Sequence, residues 1–451
     1  MKTTAWSPRF KTPRFTRWQA AVLATALLSP AVVTATARPT EASFSDSPKA
    51  VLDEAWQIVY REYVDPTFNH TDWVAVRQDL LGQPYRSRQA AYSELRRVLR
   101  RLNDPYTRFL DPDQYGELTE QTAGEVSGVG MQFKRDSGKL VITGVVDNSP
   151  AAAAGIRPGD HLLLVDGRAT NRLSVQAVSQ LVRGTEGTQV TLTLGRNGGH
   201  QETLILTRAV IEVPSVTYNV REQADMRVGY IRLSEFNAHA AEQMQTAIET
   251  LGEEENVEAF VLDLRNNPGG LYQASVEISR MWLRRGQIVR TVYREGESEA
   301  ITANRTSLTD LPLAVLVNNQ SASSSEIVTG ALGDNDRAVV VGNPTFGKAL
   351  VQSLHGLADG SGIAVTVAHY YTPNGTDISR KGIIPDVQVE LSDQERRTLL
   401  QNPNLLGTEA DPQFLEAVEA LAPDILARRV ESAAPTAVTP MSTPPQLGRT
   451  L

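Results

Sequence analysis

The chain of 451 residues contains no cysteine. That absence excludes disulfides, thiol-protease nucleophiles, thiolate zinc sites and iron–sulfur clusters together. Histidine is scarce as well. The six (His70, His161, His200, His239, His355 and His369) are scattered, and none forms the helical histidine pair with a nearby glutamate that marks a zinc hydrolase. No metal and no cofactor is therefore expected. No serine lies in a Gly-x-Ser-x-Gly elbow, which leaves a dispersed histidine triad on some other turn open. Acidic residues outnumber basic ones, 52 to 44, and the net charge of −8 argues against a broad nucleic-acid surface. Lysine is the scarcest charged residue, seven against 44 − 7 = 37 arginines. What remains is an ordinary globular composition, 41% hydrophobic and 21% charged. At about 150 residues per domain the length fits two or three domains.

The N-terminus has the order of a secretory signal. Lys2, Arg9, Lys11, Arg14 and Arg17 precede an apolar run, Ala20–Leu28 and Ala31–Val33, and Ala35-Thr36-Ala37 supplies small residues at cleavage spacing. Ser29-Pro30 interrupts the run, which is shorter than the ~20 residues a membrane-spanning helix needs. An uncleaved anchor is the alternative. Removal of residues 1–37 would leave 39 − 52 = −13, an acidic protein outside the cytoplasm.

Beyond the signal the pattern changes four times. Residues 44–117 read as a helical cap, with Val51, Leu52, Trp56, Val59, Tyr60 and Tyr63 at three- and four-residue steps. Asp65-Pro66 ends that helix. Residues 118–210 read as a small β domain, its strand-like runs separated by glycine turns around one helical segment, Ser174–Arg183. Residues 211–395 alternate strand and helix with continuous apolar strands, which indicates an α/β layered core. Residues 396–430 read as a C-terminal helical region. The proline-containing stretch 431–451 reads as a disordered tail.

Three segments carry candidate chemistry. The first is the serine run Ser321-Ala322-Ser323-Ser324-Ser325-Glu326, placed between an apolar strand and an apolar helix. The backbone N–H groups that open such a helix face whatever lies before them, so the turn suits a nucleophile beside an oxyanion site. A plain serine N-cap would use the same residues. The second is Pro344–Gln352, where Lys348 lies among Phe, Ala, Leu and Val. In a chain so rich in arginine, a lysine kept among apolar neighbours is notable, because lysine alone of the two can lose its proton. Desolvation that lowers its pKa from about 10.4 to about 7–8 makes it a general base. If the segment is extended, Lys348, Leu350 and Gln352 share a face, and Gln352 can hold the amine. A snorkelling surface lysine is the other reading. The third is Asp263-Leu264-Arg265-Asn266-Asn267-Pro268-Gly269-Gly270-Leu271, whose glycine pair lets amides approach a ligand, or simply turns a strand into a helix.

Together these segments resemble the C-terminal processing peptidases, or tail-specific proteases. The resemblance covers about residues 48–390. It rests on Ser321–Leu332, Asn343–Gln352, Asp263–Leu271 and Asp104–Leu110, with Gly124–Met131 and Ser149–Asp160 followed by Val165-Asp166-Gly167. It implies a ClpP/crotonase-like α/β core with an inserted PDZ domain and a helical cap. It implies a serine endopeptidase with Ser323 as nucleophile, Lys348 as base, Gln352 as its partner and Asp334 as a further implicated acid. Oxyanion amides would come from Gly269 or Gly270 and from Ser324, where many members have alanine. In the PDZ domain, Gly128, Val129, Gly130 and Met131 would receive the carboxylate of a substrate's C-terminal tail, added as a strand. Protein substrates are thus the implied partners. Phe68-Asn69-His70 and Asp104–Leu110 look like the cyanobacterial and chloroplast branch, in which one member trims the photosystem II D1 precursor. Thylakoid lumen or periplasm, with peripheral membrane association, would be the setting. A PDZ-based scaffold with a silent protease core is the alternative from another functional class.

Overall fold

The computed structural model describes residues 47–196 and 200–433. The expected signal peptide, and the expected tail from residue 434 onward, lie outside the described residues.

The described residues begin with a cap of three helices, α1 (Pro48–Glu62), α2 (Trp73–Gly82) and α3 (Arg88–Leu99). Each opens on a side chain that accepts a backbone N–H: Ser47, Asp72 and Ser87. Val51, Leu52, Ala55, Ile58 and Val59 of α1 form one buried stripe. That stripe packs on α2, α3 and on Leu357, Ile363 and Val365 of the core. A short strand β1 (Arg108–Leu110) follows, and then α4 (Pro112–Ala123), closed at its start by an Asp111–Gln114 capping box. α4 runs unbroken across the boundary expected at 117–118. Gly124, at φ 73°, stops it.

The β module comprises β2 (Glu125–Gly128), β3 (Met131–Asp136), β4 (Lys139–Val145), a helical turn α5 (Pro150–Ala153), β5 (His161–Val165), β6 (Arg168–Ala169), α6 (Val175–Val182), β7 (Gln189–Gly195), β8 (Gln201–Thr207) and β9 (Ala209–Glu212). Its main sheet has the order β3-β4-β5-β7-β8, with β6 on β5. β3 is an edge strand. β2 and β9 pair only with each other, so the chain enters and leaves the module along one two-stranded ribbon. The module has its own core, centred on Val129, Ile142, Leu162, Val178 and Leu192.

The remaining elements are β10 (Val216–Gln223), β11 (Met226–Leu233), α7 (Ala240–Glu249), β12 (Ala259–Asp263), α8 (Tyr272–Trp282), β13 (Gln287–Tyr293), β14 (Ser298–Thr302), β15 (Leu313–Val317), α9 (Ser324–Asp334), β16 (Val339–Gly342), β17 (Leu350–Gly356), β18 (Gly362–Tyr371), β19 (Val387–Gln388), α10 (Asp393–Gln401) and α11 (Pro412–Ala433). The first sheet has the order β10-β11-β12-β15-β16-β19 and is parallel from β11 onward. Its central strands, β15 at every position and β12 up to Leu262, are apolar without interruption because both faces are covered. Phe260 and Leu262 of β12 face α7, α8 and α9, while Ala259 and Val261 face α11. Truncating a residue such as Leu262 costs about 2–5 kcal/mol. α11 carries Pro423 within it and continues to Ala433, three residues into the stretch expected to be disordered.

A second sheet, β1-β18-β13-β14 with β17 on the other side of β18, joins the cap to the core. Among the described strands β17 pairs with β18 alone, which leaves its outer edge without a strand partner.

Candidate active site

The serine run lies where a parallel strand ends and a helix starts. Three of its four hydroxyls are committed. Ser321 Oγ donates to Leu264 O at 2.8 Å, Ser324 Oγ to Gly270 O at 3.0 Å, and Ser325 Oγ to Asn267 O at 2.9 Å. Ser321, Ser324 and Ser325 are buried and tie the turn to the glycine loop. Ser323 donates its hydroxyl to no described residue and faces a cleft of about 820 Å³. Its backbone sits at φ 55°, ψ −114°, a left-handed φ that a non-glycine residue adopts at a cost of about 1–3 kcal/mol.

What holds that backbone is Glu326, one turn into α9 and fully buried. Its Oε2 accepts the N–H of Ser323 at 2.9 Å and the N–H of Lys348 at 2.9 Å. Its Oε1 accepts Thr345 Oγ1 and the Gly347 N–H, each at 2.6 Å. On the carbonyl side, the Tyr370 hydroxyl lies 2.6 Å from Lys348 O and 3.2 Å from Ser323 O. Burial raises the Tyr370 pKa well above its ordinary value, so the hydroxyl keeps its proton. One carboxylate and one phenol therefore join the serine turn to the lysine loop. The lysine loop is pinned from behind too: Arg380 N donates to Gly347 O at 2.9 Å, and a Cβ on Gly347 would meet Lys381 N at 2.8 Å.

Lys348 lies in the loop before β17, half-buried in the same cleft as Ser323. Its amine has no hydrogen-bonding or ion-pair partner among the described residues. It rests on the face of Tyr106, 4.7 Å from the ring centroid. Desolvation lowers its pKa to about 8, and the positive charge of Arg108 adds to this, while Asp104 and Glu326 pull the other way.

The glycine loop passes directly behind the serine. A Cβ on Gly269 would stand 2.8 Å from Ala322 O and 2.9 Å from Ser323 Cβ, at φ 106°, so only glycine fits. The Gly269 N–H is spent, however, on Asn267 Oδ1 at 2.9 Å. Gly269 is thus not a free donor, contrary to the expectation that it serves interchangeably with Gly270. The N–H groups of Gly270 and Ser324 bond to no described residue. Arg265 anchors the loop's other end. It is 3% exposed and pairs with Asp263 (2.7 Å) and with Asp411 at the start of α11 (2.6 Å), both wholly buried.

Two expected catalytic side chains stand differently. Gln352 lines the cleft, but its Nε2 is buried without a partner, and it does not hold the Lys348 amine. The alternation expected from an extended segment fails because Lys348 precedes the strand and a register shift falls between Val351 and Gln352. Asp334 closes the far end of α9, eleven residues and about 16 Å of helix from Ser323. There it accepts the Asn374 N–H at 2.8 Å. A spacing of eleven residues on a straight helix cannot bring its carboxylate to the serine.

In the β module, Val129 and Gly130 form the turn between β2, which Gly128 ends, and the edge strand β3, which Met131 begins. Gly130 has φ 81°, and the N–H groups of Val129 and Gly130 bond to no described residue. α6 packs against β3 and β5.

Residues 141–196 match the PDZ domain, and residues 227–389 match peptidase family S41. Over 421 residues the chain is 40% identical to the carboxyl-terminal-processing protease of Synechocystis sp., covering 92% of this chain and 96% of that one. The chain belongs to the carboxyl-terminal-processing proteases. The protease is also 38% identical to the chloroplastic C-terminal processing peptidase of Tetradesmus obliquus, with 84% of this chain and 85% of that one covered. A solved structure of a photosystem II D1 C-terminal processing protease shares 37% identity at a TM-score of 0.52, covering 82% of this chain and 99% of that one. The protease is accordingly a peptide-bond hydrolase on an α/β core with a PDZ domain and a helical cap. No described helix is long and apolar enough to cross a membrane. Among the described residues no group of three metal-ligating side chains comes together.

Sequence reasoning overlooked Glu326, Tyr370 and Tyr106 of this protease. Ser323-x-x-Glu326 has capping-box spacing, a signal that points to a carboxylate aimed at the serine's own backbone. Tyr370 carries no such local signal. It meets the site only because β18 passes beneath both loops.

Proposed function

We propose that Ser323 is the nucleophile of this protease and Lys348 its general base. The observation that carries the reading is the division of labour in the serine run. Ser321, Ser324 and Ser325 donate their hydroxyl protons to the backbone, and among the described residues that of Ser323 alone has no acceptor, on a backbone tied to that of Lys348 through one carboxylate.

The neutral Lys348 amine takes the Ser323 proton as Oγ bonds to the carbonyl carbon. The carbonyl electron pair moves to oxygen, and the N–H groups of Gly270 and Ser324 stabilise that oxyanion. As the carbon–nitrogen bond breaks, the Lys348 ammonium returns a proton to the departing amine, leaving an acyl ester on Ser323. Water then attacks the ester with Lys348 again as base. The acid leaves and Ser323 regains its hydroxyl proton. Gln352, with an unpartnered Nε2 in the cleft, is a positioning group for the substrate or for the neutral amine.

Substrate tails enter through the PDZ domain. The free edge of β3 suits an added strand, and the unbonded Val129 and Gly130 amides suit a terminal carboxylate, with Gly128 and Met131 framing the turn. The protein acts outside the cytoplasm, in a thylakoid lumen or periplasm, and the D1 precursor is a substrate. Support comes from the basic–apolar–small order of residues 1–37, the chloroplastic relative and the solved D1-processing structure. Mass spectrometry of D1 precursor incubated with the enzyme tests this. A single C-terminal cut that is absent with Ser323→Ala and Lys348→Ala is expected. Uncut precursor beside turnover of other tailed peptides would reject the substrate, and turnover by Lys348→Ala would reject the base.

A further inference from the structure

The cap motif Asp104–Leu110 supplies Tyr106 and Arg108 to the catalytic cleft, although neither residue is needed for the acyl-transfer steps. Its turn is rigid. Asp104 accepts the Tyr106 N–H at 2.9 Å through Oδ1 and Thr107 Oγ1 at 2.7 Å through Oδ2. Thr107 Oγ1 in turn accepts the Thr366 N–H at 3.0 Å, and Thr366 stands opposite Gln352 in the β17–β18 ladder. β1 continues the attachment, with Arg108 opposite Ala364 of β18. The backbone that carries the tyrosine ring is thereby tied to the strands that flank the lysine loop.

Among the described residues the Lys348 amine has no hydrogen-bond or ion-pair partner and lies over the face of this ring. An ammonium is drawn to an aromatic face, and a neutral amine is not. A neutral amine instead gains most from a hydroxyl proton, and Ser323 lines the same cleft. We infer that Tyr106 is a positioning residue, a seat on which the cap holds the Lys348 ammonium away from Ser323 and from which the amine is released when it loses its proton. The inference rests on Lys348 being the base. It makes the two protonation states of one side chain two positions, with the N-terminal cap setting the balance. After acylation the newly formed ammonium again has a face to lie against until it returns its proton. The charged and titratable groups around the amine are Asp104 and Arg108 from the cap, Glu326 from α9 and Tyr370 from β18. Arg108 opposes the ammonium, the two carboxylates favour it, and none bonds to it directly.

The ring therefore holds the Lys348 titration midpoint above where burial and Arg108 alone would leave it. Three substitutions separate this from a packing role. Tyr106→Phe keeps a face and keeps the midpoint. Tyr106→Leu keeps apolar bulk but loses the face, and the midpoint falls by about half a unit to one unit. Tyr106→Trp offers the strongest face, and the midpoint rises. The midpoint is read in two ways on the full-length enzyme: from the acid limb of kcat/KM for a tailed peptide, and from pH-dependent acylation of the Lys348 amine followed by mass spectrometry. The labelling readout survives loss of turnover, and Phe and Trp report even if Leu does not fold. Opposite shifts for Leu and Trp are expected. Shifts of the same sign, or no shift in either, overturn the seat. Peptide turnover by Lys348→Ala is a separate outcome that rejects the base itself.

Discussion

Ser323 and Lys348, 348 − 323 = 25 positions apart, donate their backbone N–H groups to the same oxygen, Oε2 of Glu326, at 2.9 Å each. Their side chains do not bond to one another; their main chains are held by one acceptor. Registration of the two loops therefore depends on a carboxylate that takes no part in bond making. Glu326→Gln replaces an acceptor with an N–H₂ that faces other donors. Misplacement of reacting groups by about 1 Å costs about 10²-fold. We expect kcat to fall by that order with KM changed only a few-fold, and steady-state kinetics on a tailed peptide check it. A variant with unchanged kcat would show that the loops register without Glu326.

The lysine predicts the pH profile. With its pKa lowered to about 8 by burial, the base is mostly protonated at neutral pH. Peptidase activity should rise through a midpoint of about 8 and level off above it. The same shift has a stability consequence of fixed sign. A lysine whose folded pKa lies near 8 and whose unfolded pKa lies near 10.5 binds fewer protons when folded across that interval, so its contribution to stability improves as pH rises from about 8 to 10.5. Below pH 8 the buried ammonium is a standing cost. Lys348→Met should raise the melting temperature at neutral pH, and the advantage should shrink toward pH 10. Melting curves of both proteins at several pH values decide it; an advantage that grows with pH contradicts the sign.

The layered core was legible because its strands announce themselves. Leu313–Val317 is apolar at every position, since helices cover both faces of the sheet, and Ala259–Asp263 is apolar up to Leu262, whereas Met226–Leu233 keeps Arg227 and Arg232 among its apolar residues. The second sheet was not legible. β17 has one free edge and a mixed surface, with Leu354 exposed and His355 bonded to Glu62 of the cap, so neither alternation nor a continuous apolar run marks it. At the site, the serine turn and the glycine loop were visible because their residues are constrained by local geometry. What escaped was everything arriving from afar: Tyr370 from β18, Tyr106 from the cap and Asp411 from the C-terminal segment. Long-range contacts leave no local pattern in the chain.

Asp334 marks where a residue count misleads. It sits at the far end of α9 and accepts the Asn374 N–H, with the length of the helix between it and Ser323. Asp334→Asn should alter kcat/KM by no more than about three-fold, in keeping with a substitution of about 1 kcal/mol outside the reacting groups. Loss of about 10²-fold or more without loss of stability would require a role in catalysis that this placement does not provide.

Gly269 is replaceable by nothing larger. A methyl group there would enter the space of Ala322 O and Ser323 Cβ, and φ 106° disfavours any side chain. The loop would have to retreat from the serine turn, carrying Gly270 with it. Gly269→Ala should therefore lose at least about 10²-fold in kcat, because one oxyanion donor is displaced. Binding of an uncleaved tail peptide to the PDZ domain, followed by calorimetry, should be unaffected. Equal losses in binding and turnover would point instead to general unfolding.

The C-terminal segment enters the site's support through a buried ion cluster. Arg265, at the base of the glycine loop, bonds Asp411 through both Nη1 (2.9 Å) and Nη2 (2.6 Å), and Gln413 Oε1 takes a further N–H at 3.0 Å. Asp411 also accepts the Gly407 N–H at 3.0 Å, which closes the turn that brings α11 back to the sheet. All of this is withdrawn from water, so loss of one partner leaves the others without compensation. Asp411→Asn should destabilise the protein by about 3–5 kcal/mol. Arg265 would keep Asp263, whose carboxyl burial alone would raise but which Arg265 holds below the usual range. The damage should therefore concentrate on the α11 side. Hydrogen exchange should show α11 and the 403–411 turn exposed first, with β12 still protected. Uniform loss of protection across sheet and helix would mean that the cluster stabilises the core as a whole and does not specifically clamp the C-terminal segment onto the glycine loop.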